Sequence, residues 1–588
     1  MVGIPTNFTK DPVAKAHALI NEPDTPIDRV LSALVPPPLE YIPHVDDPRA
    51  TVGTWVRYNA LVQDIWDTEL FVASSPDGQS GLLVENAAAS DHAQAVLCER
   101  LPVYLVSRPG QSKWTLPDRV EPGVVPKSAN NPNGQKRPRE SDDQMSDAGP
   151  APQSTTPPSI PVTLPPEPVN ADQASSKRHC ADGVAGSVLI SSMGLNLPVH
   201  NQHGASAIVA KLYDTATGRD LKINSMVEVV GVLQDALEFN MDGATENGEG
   251  LQNEVLARNP ANVKRLHVIS WREMKSWEHN PLTKALGADQ LVEAKKEAQS
   301  LVGGLRELLV RYFASALFND LLAAEYLVMC LLSRPIRTRG DNVLGKLSVN
   351  IVLPSDSTAS AVQELARAIK EVFPTVVEIE VNLSSLNATE MYPRKDYDMN
   401  RLKAGALQMA AGTCLITNEC NMTNGRLGKR GVKNIKALTN VSQRCSMPIE
   451  FVYYESEVGV DCCTVLLSKG GKSVVPADVV VRVKPNPGLE LQQWNAYNSD
   501  LLRKLRLALA LFAEDGVFDI SPETTQDVEK VYVEARRNGA AKDGQDTLQK
   551  WLGVARACAR MHGESVMTVH RWRYALDLEQ KREQRGRS

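Results

Sequence analysis

Between Leu347 and Asn421 the chain alternates short apolar runs with a helical period, and from residue 346 to 404 it contains no glycine. Leu347-Ser-Val-Asn-Ile-Val-Leu353 reads as a buried strand, and Pro354-Ser-Asp-Ser-Thr358 as the turn after it. Ala361, Val362, Leu365, Ala366, Ile369, Val372 and Phe373 then recur at helical spacing until Pro374 closes the helix. A second unit follows: Leu402 to Met409, a turn at Ala411-Gly412, and the strand Thr413-Cys-Leu-Ile-Thr417. Strand, loop and helix in that order is the layout on which nucleotide-binding proteins hang a phosphate loop.

The residues that loop needs are missing. Glycines let backbone N–H groups approach the phosphates, a Lys reaches the outer phosphates and a Ser or Thr holds the metal, in the pattern G-x-x-x-x-G-K-[ST]. Laid on the phosphate loop of a replicative helicase, the Lys position falls on Ser360 and the hydroxyl position on Ala361. The acidic pair expected at the end of the second strand is Thr417-Asn418. Glu419 is acidic, but one step along a strand turns a side chain to the other face. The segment therefore reads as an ATPase fold that has lost its ATPase, with no catalytic residue, cofactor or metal.

A chain of 588 residues needs about three cores. A net charge of −6 argues against a nucleic-acid coat but leaves room for a local basic patch. No apolar run reaches the roughly 18 residues of a membrane helix, and no signal-peptide pattern opens the sequence. The nine cysteines form no C-x-x-C, which points to a reducing compartment and away from a zinc ribbon. His200-x-x-His203 is half a metal site or, more simply, a solvated loop pair.

Residues 11–35 read as two short helices split at Glu22-Pro23, with Asp24 or Thr25 to cap the second. Strand patterning follows from Val52 to Val62, at Glu69–Ala73 and at Leu101–Val106, with Trp114 placed to pack back on the sheet. It returns at Ser187–Ile190, Ala207–Tyr213 and Met226–Leu233, enough for an OB-like barrel, and after Arg265–Ile269 the chain becomes helical. Trp55, Tyr58, Trp66 and Tyr104 are aromatics that could stack on single-stranded nucleic acid, but local Lys and Arg are sparse and core packing suits most of them. Residues 121–186, rich in Pro, Ser, Asn and Asp, cannot bury enough surface to offset ordering and read as a disordered insert. Within it Lys136-Arg137-Pro138-Arg139 is a nuclear-import signal or a solvated charge cluster. Leu301–Leu332 reads as two packed helices split near Asn319-Asp320, and Cys462–Ser468 and Val479–Val483 as strands. The adjacent Cys462 and Cys463 should point to opposite faces. After Pro485–Gly488 four helices close the chain.

Lys395-Asp-Tyr397, Asn400-Arg-Leu402 and Gly405 resemble the K-D-Y-x-x-N-R-L-x-x-G element of the mini-chromosome maintenance complex-binding protein family. Lys346, Ala323–Leu327, Asn280-Pro-Leu282, Leu438-Thr-Asn440, Pro476-Ala-Asp478 and Arg571-Trp-Arg573 match it in order, over nearly the whole chain outside the insert. That family is itself similar to the helicase subunits it binds. The resemblance implies a multidomain α+β protein: a helical segment over 1–45, an OB-like barrel over 46–120 and 187–275 interrupted by the insert, a degenerate AAA+-like α/β domain over 276–488 and a helical lid over 489–588. Where a helicase lid has an arginine that touches ATP, this chain has Gln549; some family members have Asp-Glu where it has Thr417-Asn418. It implies a nuclear, non-enzymatic regulator of DNA replication. Such a protein binds helicase subunits, promotes helicase release from replicated chromatin and supports sister-chromatid cohesion, touching chromatin indirectly, nucleic acid at most weakly and no membrane. The alternative is a single-strand DNA-binding barrel with a structural α/β domain. Tyr392, Arg394, Lys395 and Tyr397 are the expected partner contact, since aromatic and Arg side chains anchor interfaces; otherwise Asp396 turns the chain and Tyr397 packs inward.

Overall fold

The computed structural model describes residues 8–22, 25–74, 80–84, 95–116, 195–199, 205–214, 218, 220–236, 263–337, 343–470, 473–513, 518–539 and 544–587. The insert at 121–186 with its basic tetrapeptide, the expected strand Ser187–Ile190 and His200/His203 lie outside the described residues.

Two helices open the described chain, α1 (Pro12–Ile20) and α2 (Ile27–Ala33), split where the proline predicted it. The cap differs from expectation: Pro26 holds the N-cap position of α2 and no side chain caps it. Strands β1 (Trp55–Ile65), β2 (Glu69–Ser74), β3 (Val96–Ser107), β4 (Ala207–Leu212), β5 (Met226–Gln234) and β6 (Lys264–Glu273) follow. Five close into a barrel in the order β1-β5-β6-β4-β3 and back to β1, with β2 added outside β3. Among the described barrel strands, β4 and β6 are the parallel pair. Alternation sends Tyr58, Ala60, Val103, Leu105, Ile208 and Val229 inward. The outer faces are covered too. Ala16, Ile20 and Val30 of the two helices pack on Trp55 and Val232, while Leu197 and Ala410 cover Tyr104, Val106 and Val209.

Three helices, α3 (Pro281–Ser300), α4 (Val302–Ala316) and α5 (Leu321–Leu332), lead into the second domain. Helices α4 and α5 split at Asn319-Asp320 and cross at 114°. The Asp320 carboxylate caps α5 through the N–H groups of Leu322 and Ala323. After the two-residue pair β7 (Ile336–Arg337) and β8 (Val343–Leu344) come β9 (Val349–Leu353), α6 (Ala359–Val372) and β10 (Val376–Glu380). Next are α7 (Leu383–Ala388), the short pair β11 (Arg394–Asp396) and β12 (Arg401–Lys403), and β13 (Thr413–Asn418). Then α8 (Lys429–Arg444), β14 (Ser446–Glu450), β15 (Glu455–Gly459), β16 (Cys462–Lys469) and β17 (Val479–Arg482) complete the domain. Strands β10-β13-β16-β9-β17 form one parallel sheet in that order. Both faces are buried, which is why these strands read as unbroken apolar runs. Cys463 enters the core on the α6 face and Cys462 the core on the α8 face, opposite faces as their adjacency requires. A second sheet, β12-β11-β14-β15, stands beside it. Neither this sheet nor α8 was anticipated.

Four helices end the chain: α9 (Ser499–Ala513), α10 (Pro522–Arg537), α11 (Gln545–Met561) and α12 (Val569–Arg587). Leu505, Leu509, Val554, Cys558, Trp572 and Leu578 belong to the same apolar core as Leu327, Ile351 and Leu365. Polar ties reinforce it. Arg585 places Nη1 at 2.9 and 2.6 Å from the two Asp320 oxygens, and Tyr326 donates to Glu579 at 2.6 Å. Glu325 accepts from Tyr574 at 2.9 Å and pairs with Arg306.

The barrel is fastened to the α/β part by polar ties at several places, one of them around Leu402. Asp64, at a bulge in β1, accepts the N–H of Leu402 at 2.7 Å and the Trp66 indole at 2.8 Å. Gln63 donates to the Leu402 carbonyl at 2.9 Å, and Gln408 donates back to the Gln63 carbonyl at 3.1 Å. Burial pushes the Asp64 carboxyl above its usual range despite these donors. Trp114 corrects its expectation: it does not return to the barrel. Its indole donates to the Lys370 carbonyl at 3.1 Å, and Arg506 lies 4.4 Å over its ring.

Candidate functional site

The carboxyl edge of the parallel sheet is where an open α/β fold holds ligands, so the loop after β9 is the first place to look. With Ser360 in the Lys position, the two glycine positions of the phosphate-loop pattern fall on Pro354 and Ala359. Proline has no N–H to offer a phosphate and alanine adds a Cβ where the backbone must approach closely. The loop closes on itself instead, with the Ser357 N–H on the Pro354 carbonyl at 3.0 Å and the Thr358 and Ser360 hydroxyls 2.6 Å apart on the exposed surface. Lys469, at the end of β16, donates its amine to the Ser357 carbonyl at 2.6 Å. A loop that turns a carbonyl toward a cation is arranged in the opposite sense to an anion cradle. Ala361 is part of the first turn of α6.

At the end of β13, Thr417 is fully buried and Asn418 accepts the N–H of Cys420 at 3.1 Å. Glu419 is turned away from that loop. Its carboxylate accepts the N–H groups of Val474 and Val475 at 2.7 and 3.1 Å, holding the connection into β17. Gln549 lies exposed on α11.

The stretch Met391–Tyr397, expected to meet a partner, proves to be largely part of an internal clamp that runs on to Gly405. Asp396 accepts the N–H groups of Asp398 and Met399, both at 3.1 Å, and pairs with Lys403. Lys395 donates to the Asn400 carbonyl at 3.1 Å while Asn400 takes a positive φ of 44° to turn the chain. Leu402 is buried and its peptide carries ties to the barrel. Gly405 passes so close to Tyr392 that a Cβ there would sit 2.3 Å from its carbonyl carbon. Tyr392 is itself a correction: it is 7% exposed, packed in the core of the α8 face, with its hydroxyl on Glu450 at 3.1 Å. It has no surface to give a partner. Arg394 pairs with Glu390 at 3.2 Å. Of the four expected contact residues, Tyr397 is the most exposed, at 52%, and does not pack inward. The turn after β14, Phe451 to Tyr454, was not singled out from the sequence, although four consecutive apolar or aromatic residues between Glu450 and Glu455 were there to be read. Val452, Tyr453 and Tyr454 are all exposed.

On the barrel, Trp55, Tyr58 and Tyr104 are buried: the Trp55 indole donates to the Thr9 carbonyl at 2.7 Å, and the Tyr58 hydroxyl to that of Ser206 at 3.0 Å. Trp66 stacks on Tyr104 with ring centroids 6.1 Å apart. Lys136, Arg137 and Arg139 lie outside the described residues.

Comparison with known proteins places these features in one family. A family model described as "Mini-chromosome maintenance replisome factor" matches residues 39–586. The chain is 28% identical over 542 residues to the mini-chromosome maintenance complex-binding protein of Arabidopsis thaliana, covering 90% of this chain and 88% of that one. It is 28% identical over 571 residues to the protein of that name from Danio rerio, covering 89% and 87%. The human protein is 26% identical over 592 residues, covering 91% and 88%. With the match running from the barrel through the clamp to the last helix, the chain belongs to the mini-chromosome maintenance complex-binding protein family.

Proposed function

We propose that this chain is a non-catalytic regulator of DNA replication that binds subunits of the hexameric mini-chromosome maintenance helicase, promotes helicase release from replicated chromatin and supports sister-chromatid cohesion. The observation that carries the binding role is the family match along residues 39–586, since the relatives are named for binding that complex. Release and cohesion rest on the resemblance alone.

The architecture supports a subunit-shaped partner. Numbered along the domain, the parallel sheet runs 2-3-4-1-5, with the fourth strand between the first and third. We read this sheet as the AAA+-like core that the resemblance implies, and the four last helices as its lid. Pro354, Ala359 and the inward-turned Ser357 carbonyl disable the phosphate loop, so the contact forms without nucleotide. Nuclear import through Lys136, Arg137 and Arg139 completes the reading, and exchanging Lys136 and Arg137 for Ala tests it by shifting the protein to the cytoplasm.

Single-strand binding by the OB-like barrel is the weaker reading. Such barrels bind through the face of their second and third strands. Here those are β3 and β4, whose outer residues Tyr104, Val106 and Val209 are already covered by Leu197 and Ala410.

The test is capture of individually purified helicase subunits by the full chain at about 0.15 M salt, with and without magnesium-ATP. Nucleotide-independent binding of at least one subunit is expected. Failure with every subunit overturns the proposal, as does stoichiometric magnesium-dependent ATP binding by the chain alone for the non-catalytic part.

A further inference from the structure

The β14–β15 hairpin ends in an apolar tip that the fold does not use. Val452 is 67% exposed, Tyr453 91% and Tyr454 60%. The tip is nonetheless built firmly. The Phe451 N–H donates to the Tyr454 carbonyl at 2.9 Å, and the two rings stack at 4.6 Å and 14°. Below it, Glu450 and Glu455 face each other across the strands, and Lys433 of α8 pairs with both while Lys436 reaches Glu455 at 3.2 Å. Tyr392 holds Glu450 from the other side. Strand β11 runs parallel to β14 with Arg394 opposite Glu450, so the turn bearing Tyr397 and Asp398 lies at the same end of the sheet. Three exposed tyrosines thus share one end of this small sheet. Rigid aromatic side chains lose little entropy on docking and supply most interface anchors.

We infer that the Val452–Tyr454 tip is the anchor that inserts into a helicase subunit, in an apolar socket with a basic rim. The occupant follows from charge. Strand β15 is the free edge of its sheet; Lys433 and Lys436 offset Glu450 and Glu455, so the net negative charge there comes from exposed Glu457, with Asp398 exposed on the neighbouring turn. The nearby cations are engaged: Lys433 and Lys436 on the glutamates, Lys403 on Asp396, Arg394 and Arg430 on Glu390. An acidic edge repels nucleic-acid phosphates, and a second copy pairing along β15 would set glutamates against glutamates. A protein surface with basic residues around an apolar pocket fits both the rings and the charge. This inference rests on the proposed binding of helicase subunits and names the site for it.

The experiment uses the full chain and the subunit that the wild type captures. Tyr453 stacks on no ring among the described residues, so Tyr453→Ala leaves the hairpin closed; it should weaken binding by about 30-fold, as loss of a central anchor does, with an unchanged melting temperature. Tyr453→Phe, which keeps the ring, should bind within about threefold of wild type. Two results separate the failure of the tip from the failure of the functional reading. If Tyr453→Ala binds as wild type does, the tip is not the anchor, although the chain still binds the helicase. If wild type binds no subunit, the functional reading itself fails and takes this inference with it. Tyr453-dependent binding of a fluorescent single-stranded oligonucleotide, or a Tyr453-dependent homodimer in light scattering, would replace the protein socket with another occupant and overturn the assignment.

Discussion

Replacing Asp320 by Ala should loosen the C-terminal helices far more than replacing its ion-pair partner, Arg585. The Asp320 side chain is 1% exposed and caps α5 through Leu322 and Ala323. It also accepts the Lys484 N–H at 2.8 Å and both contacts from Arg585. Loss of an N-cap costs about 1 kcal/mol. Stranding the Lys484 N–H costs about 2 kcal/mol more. The ion pair adds only about 1 kcal/mol, because Arg585 is partly in water. Asp320→Ala should therefore cost about 4 kcal/mol in all. Arg585→Ala should cost about 1 kcal/mol, since the carboxylate keeps three backbone donors. A chain of several domains does not melt as one transition, so the assay is hydrogen exchange read peptide by peptide over 321–332 and 569–587. At about 1.4 kcal/mol per tenfold, Asp320→Ala should raise local opening about a thousandfold and Arg585→Ala less than about tenfold. Equal effects of the two substitutions, or protection unchanged in Asp320→Ala, would refute the ranking of cap and stranded N–H above the ion pair.

Three further outcomes are expected. Gly405→Ala forces a Cβ against the Tyr392 backbone and should lower stability by about 3 kcal/mol or more, seen as an earlier melting transition. A double-mutant cycle of Trp114→Ala and Arg506→Ala in urea should show a coupling of about 1 kcal/mol, the contribution of a part-buried cation–π pair. Burial, with the Arg108 charge second, lowers the His279 pKa to about 3, so the folded chain keeps this ring neutral while the unfolded chain protonates it below about 6.5. Its stabilising contribution is whole above that unfolded value and falls with pH, by about 1.4 kcal/mol between pH 7.5 and 5.5. His279→Gln should flatten that limb of the stability–pH profile.

Much of the fold was legible because its signals are local. Pro23, Pro374 and the Asn319-Asp320 break mark helix ends by their own chemistry, and the buried runs Leu347–Leu353 and Thr413–Thr417 have no reading other than strand. Adjacent Cys462 and Cys463 had to face opposite cores. What escaped depends on distant partners. Helix α8 is the exception, legible but passed over: Asn434, Ala437, Leu438 and Val441 recur at helical spacing on its buried face, opposite Lys429 and Lys436. The stretch Met391–Tyr397 looked like a surface because it is rich in charge and tyrosine; nothing local tells that Asp64 and Gln63, more than 300 residues earlier, take up the backbone of the clamp it opens. Lys469 is equally silent, since its target at Ser357 is on another strand's loop.

One apolar core extends without interruption from Leu291 to Leu578, spanning the α/β sheet and the last four helices. Those helices cannot swing about Pro485–Gly488 as a hinged cap would, because any rotation must first part Leu505, Val554 and Trp572 from Leu327, Ile351 and Leu365. Energy from a small ligand is of the wrong size for such an opening. The two parts therefore melt, exchange and move as one cooperative block, and a partner gripping either of them grips both. Docking of a partner on this chain is then a rigid-body event, set by what meets its outside and not by a stroke within.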